Sequence, residues 1–263
     1  MVESVGPGVT GFAVGDRVGS LPGIQVNACG CHGEAFTVPA NFATHTPPEL
    51  TDIEGAALWS SYLTTYGMAV DLVDIRPGDW VVATAASSSI GSPLMQMVAM
   101  QGGRVIATTR TAAKAQAVRD MGAEHVIVTD DEDLVERIKE ITDGKGARFV
   151  FDPIGGPILD KLLDAMAPRG TLVLYSIMDF APVEFPVRKV VANNLKVMGF
   201  ALMIAEDEEQ NRRAIAFIRE GVRQGKLRPL VSKTFALDDI REAVGYFESL
   251  QHVGKVVVVP DQP

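Results

Sequence analysis

Trp80-Val81-Val82-Ala83-Thr84-Ala85-Ala86-Ser87-Ser88-Ser89-Ile90-Gly91 is a short apolar run that passes into small residues and ends on a glycine. The apolar run reads as a strand buried on both faces, and the small residues read as a tight turn. Residues 90–101 then read as a helix. The same rhythm repeats downstream. Strands are predicted at 104–109, 124–128, 147–151, 171–175 and 196–200, and helices over 111–121, 132–141 and 157–166. Near-continuous apolar strands that alternate with amphipathic helices specify an α/β protein, with a doubly wound parallel sheet covered on both faces. Ligands of such a sheet sit at the carboxyl ends of its strands.

The turn has the chemistry of a dinucleotide site. A pyrophosphate must come close to backbone amides at a helix N-terminus, where the dipole favours an anion, so small residues are required. The glycine fingerprint G-x-G-x-x-G is reduced here to Gly91, with Ala86 and Ser89 where tighter matches carry glycine. Ser87, Ser88, Ser89, Ile90 and Gly91 are the candidate pyrophosphate residues. Ser89 lacks the freedom of glycine if the turn needs a positive φ there. The end of the second strand discriminates between cofactors. A ribose 2′-hydroxyl is usually held by an acid about 20 residues past the glycine turn. That count reaches Thr108-Thr109-Arg110, with Lys114 one helical turn on. Two hydroxyls and two cations would bind a 2′-phosphate that a carboxylate would repel, so Thr109, Arg110 and Lys114 point to NADP(H). The plainer reading of Arg110 is a solvated residue at a helix start.

The flanks have a different texture. Residues 1–40 carry many glycines between short β-type runs, Asp16-Arg17-Val18 and Ala35-Phe36-Thr37-Val38. Pro47-Pro48 closes that segment, and Thr51 with Glu54 forms a capping box for a following helix. Beyond Phe200 come a charged helix over 207–224, a strand near 231–235, a helix over 238–250 and a last strand over 255–259. This tail most simply rejoins the N-terminal segment. Cys29 and Cys31 are too close for an ordinary disulfide, and with His32 and Glu34 they lack the spacing of a structural zinc site, so no metal is expected. The net charge of −9 argues against nucleic acid as a partner. No apolar run approaches the ~20 residues that span a bilayer, and no leader-like segment opens the chain, which reads as cytoplasmic and not membrane-bound. The sequence assigns no role to His45, His125 or His252.

These residues, taken in order, resemble the quinone oxidoreductase-like, zinc-type alcohol dehydrogenase-like branch of the medium-chain dehydrogenase/reductase superfamily. The matching pieces are Val5-Gly6-Pro7-Gly8-Val9, Val14-Gly15-Asp16-Arg17-Val18, Leu63-Thr64-Thr65-Tyr66-Gly67, Arg76-Pro77-Gly78-Asp79, the turn at 85–91, Thr109-Arg110, Lys114, Met121-Gly122-Ala123, Phe151-Asp152 with Gly155-Gly156, and Gly254-Lys255-Val256-Val257. The resemblance implies a GroES-like catalytic domain from residues 1–54 and 201–263 and an NADP-binding Rossmann domain over 55–200. It implies that several dozen residues precede the point matching Met1. The GroES-like domain is therefore expected to be incomplete, with unpaired edges near 14–18 and 36–38, and turnover is expected to be poor.

By the same resemblance, Thr64 lies near the nicotinamide, and Asp152, Pro153, Tyr175 and Ile177 line that half of the cleft. Thr64 also reads as a buried helix threonine, and Tyr175 as the end of an apolar strand. Tyr62 and Tyr66, four residues apart on one helix face, are candidate proton donors that also read as packing. The implied activity is hydride transfer from NADPH to a quinone or an activated C=C or carbonyl in a small-molecule substrate. The alternatives are a zinc-type alcohol dehydrogenase, disfavoured by the absent ligand set, and a nucleotide-binding remnant without turnover. The resemblance also implies homodimers joined through the strand at 196–200.

Overall fold

The computed structural model describes residues 1–23, 30–202 and 208–260. In chain order the elements are β1 (Val18–Ser20), β2 (Ala43–His45), α1 (Asp52–Tyr66), β3 (Trp80–Ala83), α2 (Gly91–Met100), β4 (Arg104–Thr109), α3 (Ala115–Asp120), β5 (His125–Val128), α4 (Leu134–Ile141), β6 (Ala147–Asp152), α5 (Ile158–Asp164), β7 (Met166–Leu174), α6 (Val187–Ala192), β8 (Lys196–Gly199), α7 (Glu208–Arg223), β9 (Val231–Ala236), α8 (Ile240–Glu248) and β10 (Lys255–Val259). The chain forms two compact units, Met1–Leu63 with Leu202–Pro263, and Thr64–Ala201, the first division falling inside α1.

The central unit holds a six-stranded sheet in the order β5-β4-β3-β6-β7-β8. Every pairing in it is parallel. This is the doubly wound Rossmann arrangement, and the order reverses between β3 and β6. Alternate residues supply the two faces, as strand geometry requires. Val81, Ala83, Val105, Ala107, Phe149, Phe151 and Val173 pack with Leu94, Met95 and Val98 of α2 and Val118 of α3. Val82, Ile106, Ile127, Val150 and Leu172 pack on the opposite face with Leu134, Ile138, Leu162 and Leu163 of α4 and α5. Two covered faces explain why the strands read as unbroken apolar runs.

Local chemistry sets the helix starts. Asp133 caps α4 by accepting from Val135 N and Glu136 N. Pro93 falls in the first turn of α2, where its missing N–H leaves no helical bond unmade. Two expectations in this unit are refined. The helix over 111–121 divides into a 3-10 turn, Ala112–Lys114, and α3. The strand at 171–175 starts five residues earlier in sequence, at Met166, which pairs with Ala147. Its register slips against β6 between Ala147 and Phe149, and Arg169 in β7 takes a φ of +62°.

In the other unit β1 and β2 pair antiparallel, and β9 and β10 pair parallel. The Thr51–Glu54 capping box forms reciprocally: Glu54 N donates to Thr51 Oγ1 at 3.2 Å, and Thr51 N to Glu54 Oε2 at 2.9 Å. Arg228 reaches the other oxygen of Glu54 at 2.6 Å, tying the C-terminal segment to α1. Arg17 donates to Asp52 Oδ1 and to Leu50 O, each at 2.8 Å. The run Ala35–Val38 is not a strand. It has β propensity but no ladder partner among the described residues, and the partner of β1 is instead 43–45. Cys31 is exposed, and Cys29 lies outside the described residues. Among the described residues no helix is long and apolar enough to cross a membrane.

Candidate active site

The candidate site of the central unit is built at the carboxyl ends of β3, β4, β6 and β7. The turn after β3 is anchored at both ends. Thr84 N donates to Phe151 O of β6 at 3.2 Å, and Ala86 N to Thr108 O of β4 at 3.0 Å. Inside the turn, Ser88 N bonds Ala85 O and Gly91 N bonds Ser88 O. Gly91 is there for want of space. A Cβ on it would lie 1.7 Å from Ala86 O and 2.6 Å from the Ala86 carbonyl carbon. The positive φ of the turn falls on Ala85, at +46°, and not on Ser89. Serine at 89 therefore carries no left-handed strain, and the expected weakness of the turn at that position is corrected. Ser88 Oγ is buried and makes no hydrogen bond of regular geometry.

At the end of β4, Thr108 and Thr109 are buried and Arg110 is exposed. Lys114 Nζ donates to Ser87 Oγ at 3.2 Å, which brings the cation to the turn itself. Burial lowers the pKa of Lys114, and the positive charge of Arg110 lowers it further. The fold thus holds two like charges close together beside the turn, an arrangement that an anion would relieve.

Asp152, at the end of β6, is fully buried. Its Oδ1 accepts from Thr84 Oγ1, and its Oδ2 accepts from Gly155 N at 2.7 Å. Burial raises its pKa, against the lowering effect of the bonds from Thr84 and from the backbone of Gly155 and Ile154. The loop after β7 is knitted onto this one. Tyr175 N bonds Asp152 O, Met178 N bonds Pro153 O, and Asp179 N bonds Ile154 O. Gly155 and Gly156 take φ values of +68° and +62°, and a Cβ on Gly156 would meet the Asp179 carboxyl group at 2.6 Å. Burial, then the Asp152 charge, push the Tyr175 hydroxyl well above its ordinary range, with Ser88 offsetting slightly. Tyr175 is a neutral phenol at physiological pH.

The structure therefore brings Ser87, Ser88, Gly91, Lys114, Asp152, Pro153 and Tyr175 into one end of the sheet. Ile177 is in the same loop region but 61% exposed. Thr64 is half-buried on α1, whereas Tyr62 and Tyr66 on that helix are buried. Sequence reasoning missed Thr84 as the partner of Asp152. The available signal was a hydroxyl and an acid each closing an otherwise apolar strand. Among the described residues no group of three or more His, Cys, Asp and Glu side chains is placed to hold a metal ion.

A Rossmann sheet with a small-residue turn, a glycine that admits no Cβ and a cationic second-strand end defines a dinucleotide-dependent dehydrogenase or reductase domain. The chain belongs to the zinc-binding dehydrogenase family, whose model matches residues 89–220, within the medium-chain dehydrogenase/reductase superfamily. It is 32% identical to a 2-haloacrylate reductase of Burkholderia sp. over 99% of this chain and 78% of that protein. The quinone oxidoreductase of Escherichia coli, solved in complex with NADPH, superposes with a TM-score of 0.84 at 26% identity, covering 98% of this chain and 79% of that one. A mycobacterial protein complexed with NADPH superposes with a TM-score of 0.87 at 27% identity, covering 98% of this chain and 80% of that one. The family and these relatives make the chain an oxidoreductase. The described residues offer no ligand set for zinc.

Proposed function

We propose that the protein is an NADPH-dependent reductase of small molecules that delivers hydride to a quinone or to an activated C=C or carbonyl. One observation carries the cofactor choice. The end of β4 presents Arg110 and Lys114 where an NAD-selective site would present a carboxylate. Two of the structural relatives were solved with NADPH, and the 2-haloacrylate reductase is named for a halogen-substituted alkene acid, which supports an activated C=C. The site residues fit the cofactor. The Ser88 hydroxyl and the amides of Ser89 and Ile90 would receive the pyrophosphate, and Arg110 with Lys114 and Thr109 the 2′-phosphate. The bound cofactor supplies the hydride. The chain supplies position: Asp152, Pro153, Tyr175 and Ile177 shape the nicotinamide end, with Tyr175 held as a proton-bearing hydroxyl. Thr64 is our candidate on the substrate side, whereas Tyr62, 1% exposed, is read as packing. The unit formed from both chain ends is read as the GroES-like catalytic domain.

Titration of the protein with NADPH and NADH tests this. NADPH binds more tightly, and Arg110→Ala weakens NADPH by about 1–3 kcal/mol, the scale of a charge-assisted bond, while NADH changes little. Tighter binding of NADH by the unsubstituted protein overturns the assignment.

We also propose a homodimer through β8, one of the two edge strands of the sheet. Phe200 N donates inward to Leu174 O. By strand alternation, Val197 and Gly199 aim their N–H groups outward, an edge open to another chain. Val197→Pro removes an outward donor without touching the inner ladder. It should shift the sedimentation of the protein toward monomer and leave NADPH affinity in place; an unsubstituted protein that is monomeric at high micromolar concentration removes the dimer.

A further inference from the structure

The Asp152 carboxylate has no exposed surface, so it cannot touch a bound ligand as it stands. Its side chain also bridges two loops of the site. Oδ1 holds the hydroxyl of Thr84, the residue at which β3 passes into the dinucleotide turn. Oδ2 holds the N–H of Gly155, inside the loop after β6. Through its own carbonyl, which accepts from Tyr175 N, the same residue is bonded to the start of the loop after β7. Three loops at the carboxyl end of the sheet thus converge on one buried residue.

From this juxtaposition we infer that Asp152 and Thr84 form a latch that sets the spacing between the pyrophosphate turn and the nicotinamide-side loops, so that both ends of one extended dinucleotide are met at once. Asp152 is a positioning residue, not a catalytic one. The inference rests on the dinucleotide reading above and adds a division of labour to it. An extended ligand gains from two contact regions only when they are held at a fixed separation before it arrives. The carboxylate supplies that rigidity through hydrogen bonds to a charged acceptor, which are stronger than neutral ones. The turn itself does not depend on the latch. It is fastened to β4 by Ala86 N to Thr108 O and to β6 by Thr84 N to Phe151 O, both backbone bonds. Loss of the latch should therefore leave the adenosine end of the site in place and release only its relation to the nicotinamide end.

That difference gives a readout a purely structural role would not move. Binding of NADPH is compared with binding of adenosine 2′,5′-bisphosphate, which occupies only the adenosine end, by calorimetric titration. Thr84→Val keeps the shape of the side chain and deletes the hydroxyl. It should weaken NADPH about tenfold or more, the worth of one hydrogen bond to a charged group, and change the bisphosphate by less than about twofold. Thr84→Ser, which restores the hydroxyl, should recover most of that loss. Asp152→Asn tests the other half of the latch with the same pair of probes, and stands in if the valine variant does not fold. The latch is overturned if both probes weaken equally, if neither weakens, or if serine is no better than valine. An unsubstituted protein that binds neither probe fails earlier, on the dinucleotide reading, and takes the latch with it.

Discussion

Gly91→Ala should abolish useful NADPH binding, with a loss of more than about 100-fold in affinity. The added methyl would sit 1.7 Å from Ala86 O, well inside any permitted contact, and the atom it meets is backbone. No side-chain rotation relieves it. Either the turn at 85–88 opens or the first turn of α2 moves away from it. Both outcomes displace the amides that would receive the pyrophosphate. The substitution should also lower stability by about 1–3 kcal/mol, the usual cost of forcing extra volume into a packed position. Fluorescence titration with NADPH and a thermal melt measure the two effects separately. Retention of affinity within about threefold would show that the turn does not bind the cofactor.

Phe151→Ala should cost about 3–5 kcal/mol of unfolding free energy, read from denaturant midpoints. Phe151 is fully buried in β6, at the centre of the sheet, where it pairs with Ala83 on one side and Val173 on the other. Its ring belongs to the face covered by α2 and α3. Its neighbours are held by two parallel ladders and are poorly placed to collapse into the space, so transfer and cavity terms add. The backbone bond from Thr84 N to Phe151 O survives the substitution, which separates loss of packing from loss of the turn. A cost below about 1 kcal/mol would mean that the face repacks freely around the missing ring.

The readable features were those with a local cause. Buried strands show as apolar runs because both faces of the sheet are covered, and the Thr51–Glu54 pair shows as a helix start because both partners are three residues apart. The run at 35–38 has the composition of a strand, yet a strand exists only where another chain segment offers a ladder. Pro168-Arg169-Gly170 looks like a loop, yet it lies within β7 because the slip in register against β6 absorbs the left-handed Arg169. The serine at 89 looked like a defect in the turn. The demand for positive φ falls on Ala85, a matter of how the turn is tethered to β4 and β6.

By itself the sequence determined the α/β class, the presence of a small-residue turn after a buried strand and the cationic character of the second-strand end, since periodicity and side-chain charge are properties of short segments. Only the tertiary structure decided the order of the strands, the obligatory status of Gly91 and the meeting of Thr84 with Asp152, which are 68 residues apart in the chain. The reason is physical. A pattern of residues states which surfaces must be buried and which charges need company, but many partners would satisfy each demand. The choice among them is made when loops from separate strands are brought to one end of a sheet and every polar group left in the interior must find its bond.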